Sequence, residues 1–122
     1  MIKTSNGKAV CAAALLLVMG AQSSAWADAA LDDSIERGRA LAEDRNGGNC
    51  YSCHAVEGAE LPGNYGPPLF NMKMRFPERA VLKAQIADPR VRNPGTPMPP
   101  YGAHQVLTDS ELESVVDYIH SL

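Results

Sequence analysis

The chain has 122 residues, 11 of them basic and 14 acidic, for a formal charge of −3. A chain this short makes one small domain with a modest core. Its acidic balance argues against a nucleic-acid binder.

The first elements read as an export signal. Lys3 and Lys8 form a short basic region, and Ala9 to Ala21 is apolar. That run covers 13 residues, whereas crossing a bilayer takes about 20, so no membrane span is expected. Ala25-Trp26-Ala27 supplies a small-x-small cleavage site. These features predict a secretory signal peptide over residues 1–27, a mature domain over 28–122 and a periplasmic location. Cys11 lies in the removed segment, and Lys8-Ala9-Val10 before it lacks the leucine of a lipidation box. Removing 27 of 122 residues leaves 95, and losing Lys3 and Lys8 leaves 9 basic against 14 acidic residues, a formal charge of −5.

Residues 33–42 predict a first helix. Ile35, Gly38, Leu41 and Ala42 share a face, and Asp33 or Ser34 can cap its start. Asn46-Gly47-Gly48-Asn49 stops it. Cys50-Tyr51-Ser52-Cys53-His54 follows at once. Cys-x-x-Cys-His is the attachment pattern of a c-type haem. Two thiols three positions apart reach the two vinyl groups on one porphyrin edge, which leaves His54 beneath the iron as proximal ligand. Other uses of the pattern are weaker. A zinc site needs about four N or S ligands, and only His104 and His120 remain in the mature chain. A thioredoxin-like motif belongs in a βαβ unit, and no convincing strand is present. A disulfide between cysteines three apart closes too small a loop to stabilise much.

Residues 57–71 hold three glycines, three prolines and two asparagines, which predicts a loop over the haem edge. A second helix starts near Pro77, with Val81, Leu82, Gln85 and Ile86 as its apolar side, and ends at Asp88-Pro89, because the residue before proline avoids the α region. Six of the nine mature basic residues, Lys73, Arg75, Arg79, Lys83, Arg90 and Arg92, fall in this stretch. Two readings stand: a solvated helix face, or a docking patch in which Arg75, Arg79 and Lys83 steer an acidic partner. Pro94 to Gly102 is stiff and carries Met98 between Pro97 and Pro99. The last helix is marked by a Thr108–Glu111 capping box and by Leu112, Val115, Val116 and Ile119 at i, i+3, i+4 and i+7.

A haem held by His54 needs its other axial ligand. Met72, Met74, Met98, His104 and His120 are the candidates. A thioether is a weak ligand that must be presented ready-placed, and prolines fix φ around Met98. Met72 and Met74 read as core fillers, His120 reads as a surface residue, and His104 competes with Met98.

The order helix, Cys-x-x-Cys-His, loop, helix, Pro-rich Met loop, helix resembles the all-α class I cytochrome c fold, three main helices around one covalent haem c. That resemblance implies that Gly38 meets Tyr118 where the terminal helices cross. It implies that the carbonyl of Pro67 in Gly66-Pro67-Pro68-Leu69 accepts the His54 Nδ1 proton, and that Leu69 packs on the haem. Pro67 reads equally as a plain turn residue. Glu60 to Leu69, Met74 to Pro77, Gln85-Ile86 and Asn93 to Gly102 together resemble the SoxX family of small monohaem cytochromes. The resemblance implies a heterodimer with a SoxA-like cytochrome, which joins thiosulfate to a cysteine of a SoxYZ-like carrier as an L-cysteine S-thiosulfotransferase. A soluble acceptor cytochrome then takes the electrons. No triad, carboxylate pair or third mature cysteine offers this chain a catalytic site of its own. A freestanding periplasmic electron carrier is the alternative.

Overall fold

In the computed structural model the backbone is described from Val10 to Leu122 and side chains from Ala25 onward. Four α-helices follow in order: α1 (Val10–Glu43), α2 (Met72–Arg75), α3 (Arg79–Ala87) and α4 (Asp109–Ser121). Single 3-10 turns lie at Cys50–Ser52 and Pro89–Val91, and the described residues contain no strand. The chain divides into two units, residues 1–32 and Asp33–Leu122. In the first unit the described backbone is a stretch of α1, and Lys3 and Lys8 lie outside the described residues. No helix among the described residues is long and apolar enough to cross a membrane.

α1 does not begin at Asp33 as the capping pattern predicts. Nothing between Val10 and Asp33 breaks a helix, since the segment has no proline and is rich in alanine and leucine. The helix therefore propagates through the Asp33 position. Asp33 pairs with Arg37 one turn on, and the Ser34 hydroxyl donates to Asp117 Oδ2 at 2.7 Å in α4. The predicted stop holds. Gly48 N donates to Leu41 O at 2.9 Å, and Asn49 takes the left-handed conformation at φ 50° that turns the chain into the cysteine motif.

Within the second unit α4 is the central element. Its predicted stripe, Leu112, Val115, Val116 and Ile119, is buried throughout. Thr108 Oγ1 accepts from Glu111 N at 3.3 Å while Glu111 Oε2 accepts from Thr108 N at 2.8 Å, so the capping box closes in both directions. α2 and α3 pack on α4, as does the end of α1. There Gly38 is fully inside, and a Cβ placed on it would lie 2.5 Å from the Ser114 carbonyl carbon and 2.8 Å from Tyr118 Cβ. Gly38 and Tyr118 therefore meet at the helix crossing, as the family resemblance implies.

α3 differs from its prediction in two ways. Leu82 and Ile86 face the core, but Val81 is 40% exposed and lies on the outer side. The basic row is also broken. Arg75 ends α2, while Arg79 begins α3, with Phe76-Pro77-Glu78 between them. Arg79 ion-pairs with Glu113 at 2.8 Å and with Asp117 at 2.5 Å, and Lys83 pairs with Glu113. Arg79 and Lys83 thus pair with carboxylates of α4, while Arg75 meets no carboxylate among the described residues. α4 places Glu113 and Asp117 one turn apart, opposite Arg79 and Lys83 one turn apart, and that matched spacing permits the internal pairing.

Candidate haem site

The cysteine motif is held by its own backbone. Cys53 N and His54 N both donate to Cys50 O, at 3.2 and 3.0 Å, closing one tight turn. Cys50 and Cys53 are free thiols. Burial pushes the Cys50 thiol up to about 11, which keeps it protonated at neutral pH.

The loop that follows is fastened to this turn at three-residue intervals. Gly63 N donates to Tyr51 O at 2.8 Å, Gly66 N to Cys53 O at 2.7 Å and Leu69 N to Ala55 O at 2.8 Å. Pro67 and Pro68, between the last two bonds, have no N–H to place. They offer only carbonyls, and both are used. His54 Nδ1 lies 2.6 Å from Pro67 O, so the Nδ1 proton is donated there and Nε2 keeps its lone pair. Arg75 Nη1 donates to Pro68 O at 2.6 Å. Gly66 lies flat against the imidazole, where a Cβ would fall 2.7 Å from His54 Nδ1.

Two hollows open beside the motif, and they share Cys50, His54, Pro67, Gln85, Met98 and Tyr101 in their linings. The inner one holds about 690 Å³ of non-atom space including its mouth. Its floor is Leu69, Met72, Leu82, Val115 and Ile119. The outer one adds Cys53, Gly66 and the Met98 turn. That turn is preset: Asn93 O accepts from Thr96 N at 3.0 Å, and Thr96 Oγ1 accepts from Met98 N at 3.2 Å. Tyr101, just beyond it, donates its hydroxyl to Gly48 O at 2.6 Å, which ties the Met98 loop to the residue pair ahead of Cys50.

The cleft thus gathers Cys50, Cys53, His54, Pro67, Leu69 and Met98. It leaves out the histidines. His104 is exposed, with Nε2 3.1 Å from Arg90 Nη1. His120 Nε2 donates to Phe76 O at 3.0 Å. Met74 is 77% exposed, whereas Met72 is 2% exposed and forms part of the floor. Gln85, read from sequence as part of an apolar helix side, is the polar group that sequence reasoning passed over. The signal was there: one amide between Leu82 and Ile86 on a buried stripe.

An apolar cleft lined by two thiols on one turn, an imidazole with its Nε2 free and a thioether fits a flat, largely apolar macrocycle with a central metal. The family described as cytochrome C oxidase, cbb3-type, subunit III matches residues 33–119. The chain belongs to this family. The family implies a haem, which the donor set of the cleft suits. The crystal structure of SoxXA from P. pantotrophus shares the fold, with a TM-score of 0.63 and 24% identity, covering 70% of this chain and 79% of that one. The architecture is that of an all-α class I cytochrome c. An uncharacterized lipoprotein of Aquifex aeolicus (strain VF5) is 31% identical over 74 residues, 60% of this chain. The chain spans 36% of that relative's length.

Proposed function

We propose that this member of the family is an exported monohaem c-type cytochrome that receives electrons as the SoxX-type subunit of a two-cytochrome complex. The observation that carries the reading is the cleft itself, where Cys50, Cys53, His54 and Met98 share one apolar lining.

In this reading residues 1–27 are a cleaved signal and residues 28–122 work in the periplasm. Cys50 and Cys53 would hold one haem through thioethers. When bound, the haem supplies a reversible one-electron site. His54 and Met98 would hold its iron. Pro67 O holds the imidazole in one tautomer and raises its basicity. Leu69 closes the apolar floor. The partner is a SoxA-like cytochrome where thiosulfate is joined to a cysteine of a SoxYZ-like carrier, with release of two electrons. A soluble cytochrome accepts them. The likeness to the SoxXA structure and the resemblance through the Met98 loop support the partner.

Three measurements test this. Intact mass of material from a maturation-competent host should show the chain from Asp28 plus one haem. The oxidised protein should show a sulfur-to-iron charge-transfer band that Met98→Ala abolishes, with a lower potential, because a thioether favours the reduced iron. An unchanged spectrum would move the assignment to another ligand. Co-purification with a cysteine-ligated c-type cytochrome supports the SoxX reading, whereas a monomer reduced equally by unrelated donors supports a freestanding carrier.

A further inference from the structure

Most basic side chains of the second unit are neutralised within it. Arg37 pairs with Asp33, Arg39 with Glu43, Arg79 and Lys83 with Glu113, and Arg90 with Asp88. Lys73 and Arg75 are different. Both are exposed and sit on α2, and neither meets a carboxylate among the described residues. Arg75 donates only to neutral acceptors, Pro68 O at 2.6 Å and Met72 Sδ at 3.3 Å.

The same short helix carries exposed apolar groups. Met72 is 2% exposed and faces the cleft floor, whereas Met74, two positions on, is 77% exposed. Phe70, just ahead of the helix, is 53% exposed. A lone exposed apolar side chain needs no explanation. An aromatic ring and a thioether four positions apart, beside two uncompensated cations, have the composition of an interface. Two other places pair an exposed apolar residue with an unpaired cation, and both are poorer. Leu61 and Arg45 line a hollow that also holds Glu43 and Glu60. Val91 and Arg92 offer one aliphatic side chain and one charge.

We propose that Phe70, Lys73, Met74 and Arg75 form the surface through which the cleft exchanges electrons with a redox protein whose docking face is apolar at its centre and ringed by carboxylates. The proposal rests on the haem reading above. One electron passes from the partner's reduced centre to the iron held in the cleft. Charge selects the partner: this chain is acidic as a whole, so an acidic protein is drawn to a place where cations stand uncompensated. Position explains the use of α2. Met72 and Arg75 line the inner hollow while Met74 faces solvent. A partner seated on Met74 is separated from the hollow by a single helix, about 10–12 Å across.

The test uses the haem-loaded protein on gold electrodes coated with mixed carboxylate- and methyl-terminated thiols, a surface of the stated chemistry. At low ionic strength, voltammetry should show the iron couple of adsorbed protein in spite of the chain's acidic charge, and salt should weaken the signal. Lys73→Glu and Met74→Asp should each lower the adsorbed electroactive protein several-fold. Arg45→Glu and Arg92→Glu change the net charge as much as Lys73→Glu and should leave it nearly level. All of these positions are exposed, and the visible spectrum reports that each variant folds around its haem. A control that loses as much signal as Lys73→Glu would refute the assignment to α2. So would adsorption that needs an ammonium-terminated monolayer, or no response on the mixed monolayer from a protein that dissolved mediators titrate. Cosedimentation with phosphatidylglycerol vesicles that Met74→Asp abolishes would make the patch a lipid site and overturn the protein partner. A protein that carries no haem, or shows no couple even with mediators, overturns the haem reading instead, so the two failures are told apart.

Discussion

Substituting Gly38 by alanine adds one methyl group where α1 crosses α4. Its Cβ would lie 2.5 Å from the Ser114 carbonyl carbon, nearer still to the Ser114 oxygen, and 2.8 Å from Tyr118 Cβ. Two of these atoms are backbone of a packed helix, so no rotamer change relieves the contact. The helices must separate. Overpacking of this kind costs about 3 kcal/mol, the upper part of its usual range. Replacing glycine by alanine inside a helix returns about 1 kcal/mol of propensity. The net expectation is a loss of about 2 kcal/mol, and a melting temperature lower by about 8–16 °C for a domain of this size. Ser34 and Asp117 lie on the same crossing, so separation of the helices should also expose that hydrogen bond. Denaturant unfolding of the haem-loaded protein, with an unchanged m-value, measures the difference. A Gly38→Ala protein as stable as wild type would falsify the account, because propensity would then have outweighed a contact that is supposed to be immovable. Gly38→Leu should fail to accumulate.

Three further outcomes are expected. Gly66→Ala pushes a Cβ onto the His54 ring, 2.7 Å from Nδ1; it should displace the imidazole from Pro67 and turn the ferrous visible spectrum high-spin, and an unperturbed low-spin spectrum would count against the proximal arrangement. The Glu113 carboxyl is held below the usual carboxylate range by hydrogen bonds from Lys83 and then from Arg79; its contribution is therefore complete above its unfolded pKa and lost as pH falls through the lowered folded value. The stability gap between wild type and Glu113→Gln, about 0.5–1 kcal/mol for a side chain this exposed, should close on acidification, and a gap that stays constant from pH 7 into the acid range would contradict it. The Tyr51 and Tyr118 hydroxyls bond to each other; each Tyr→Phe change should cost about 1 kcal/mol, and the double variant little more than either single one. Additive losses in urea unfolding would show that the two do not act as a pair.

Signals carried by a few neighbouring residues were legible in the sequence. The Thr108–Glu111 cap, the Asn46–Asn49 stop and the loop over 57–71 each depend on local chemistry, and each stands where it was expected. The Gly38–Tyr118 crossing also stands where expected, but that pairing came from the resemblance to class I cytochromes c and not from a local signal. The motif residues and Met98 also lie on one cleft. What the sequence could not give was decided by partners far along the chain. Arg79 and Lys83 looked free because Glu113 and Asp117 lie some thirty positions on. Val81 left the predicted helix side while Leu82, Gln85 and Ile86 kept it, since a stripe with four members does not say which neighbour will cover each. The start of α1 was misread because a capping residue stops a helix only where the chain before it prefers not to be helical.

The two walls of the cleft are held in place by different physics. On the His54 side, Gly63, Gly66 and Leu69 are fastened by backbone hydrogen bonds, an enthalpic attachment whose amides should exchange with solvent together. On the Met98 side, Pro97, Pro99 and Pro100 have no amide to protect. That wall adds the few conformations open to a proline-rich chain to the hydrogen bonds of Thr96 N, Met98 N and the Tyr101 hydroxyl. Warming should therefore loosen the histidine wall by breaking bonds while leaving the methionine wall's range of shapes almost unaltered. A Met98 that lets go should find its place again quickly, since the search it must make is short. Hydrogen exchange would report that event only through the amides of Thr96 and Met98, and the sulfur-to-iron band would show it directly.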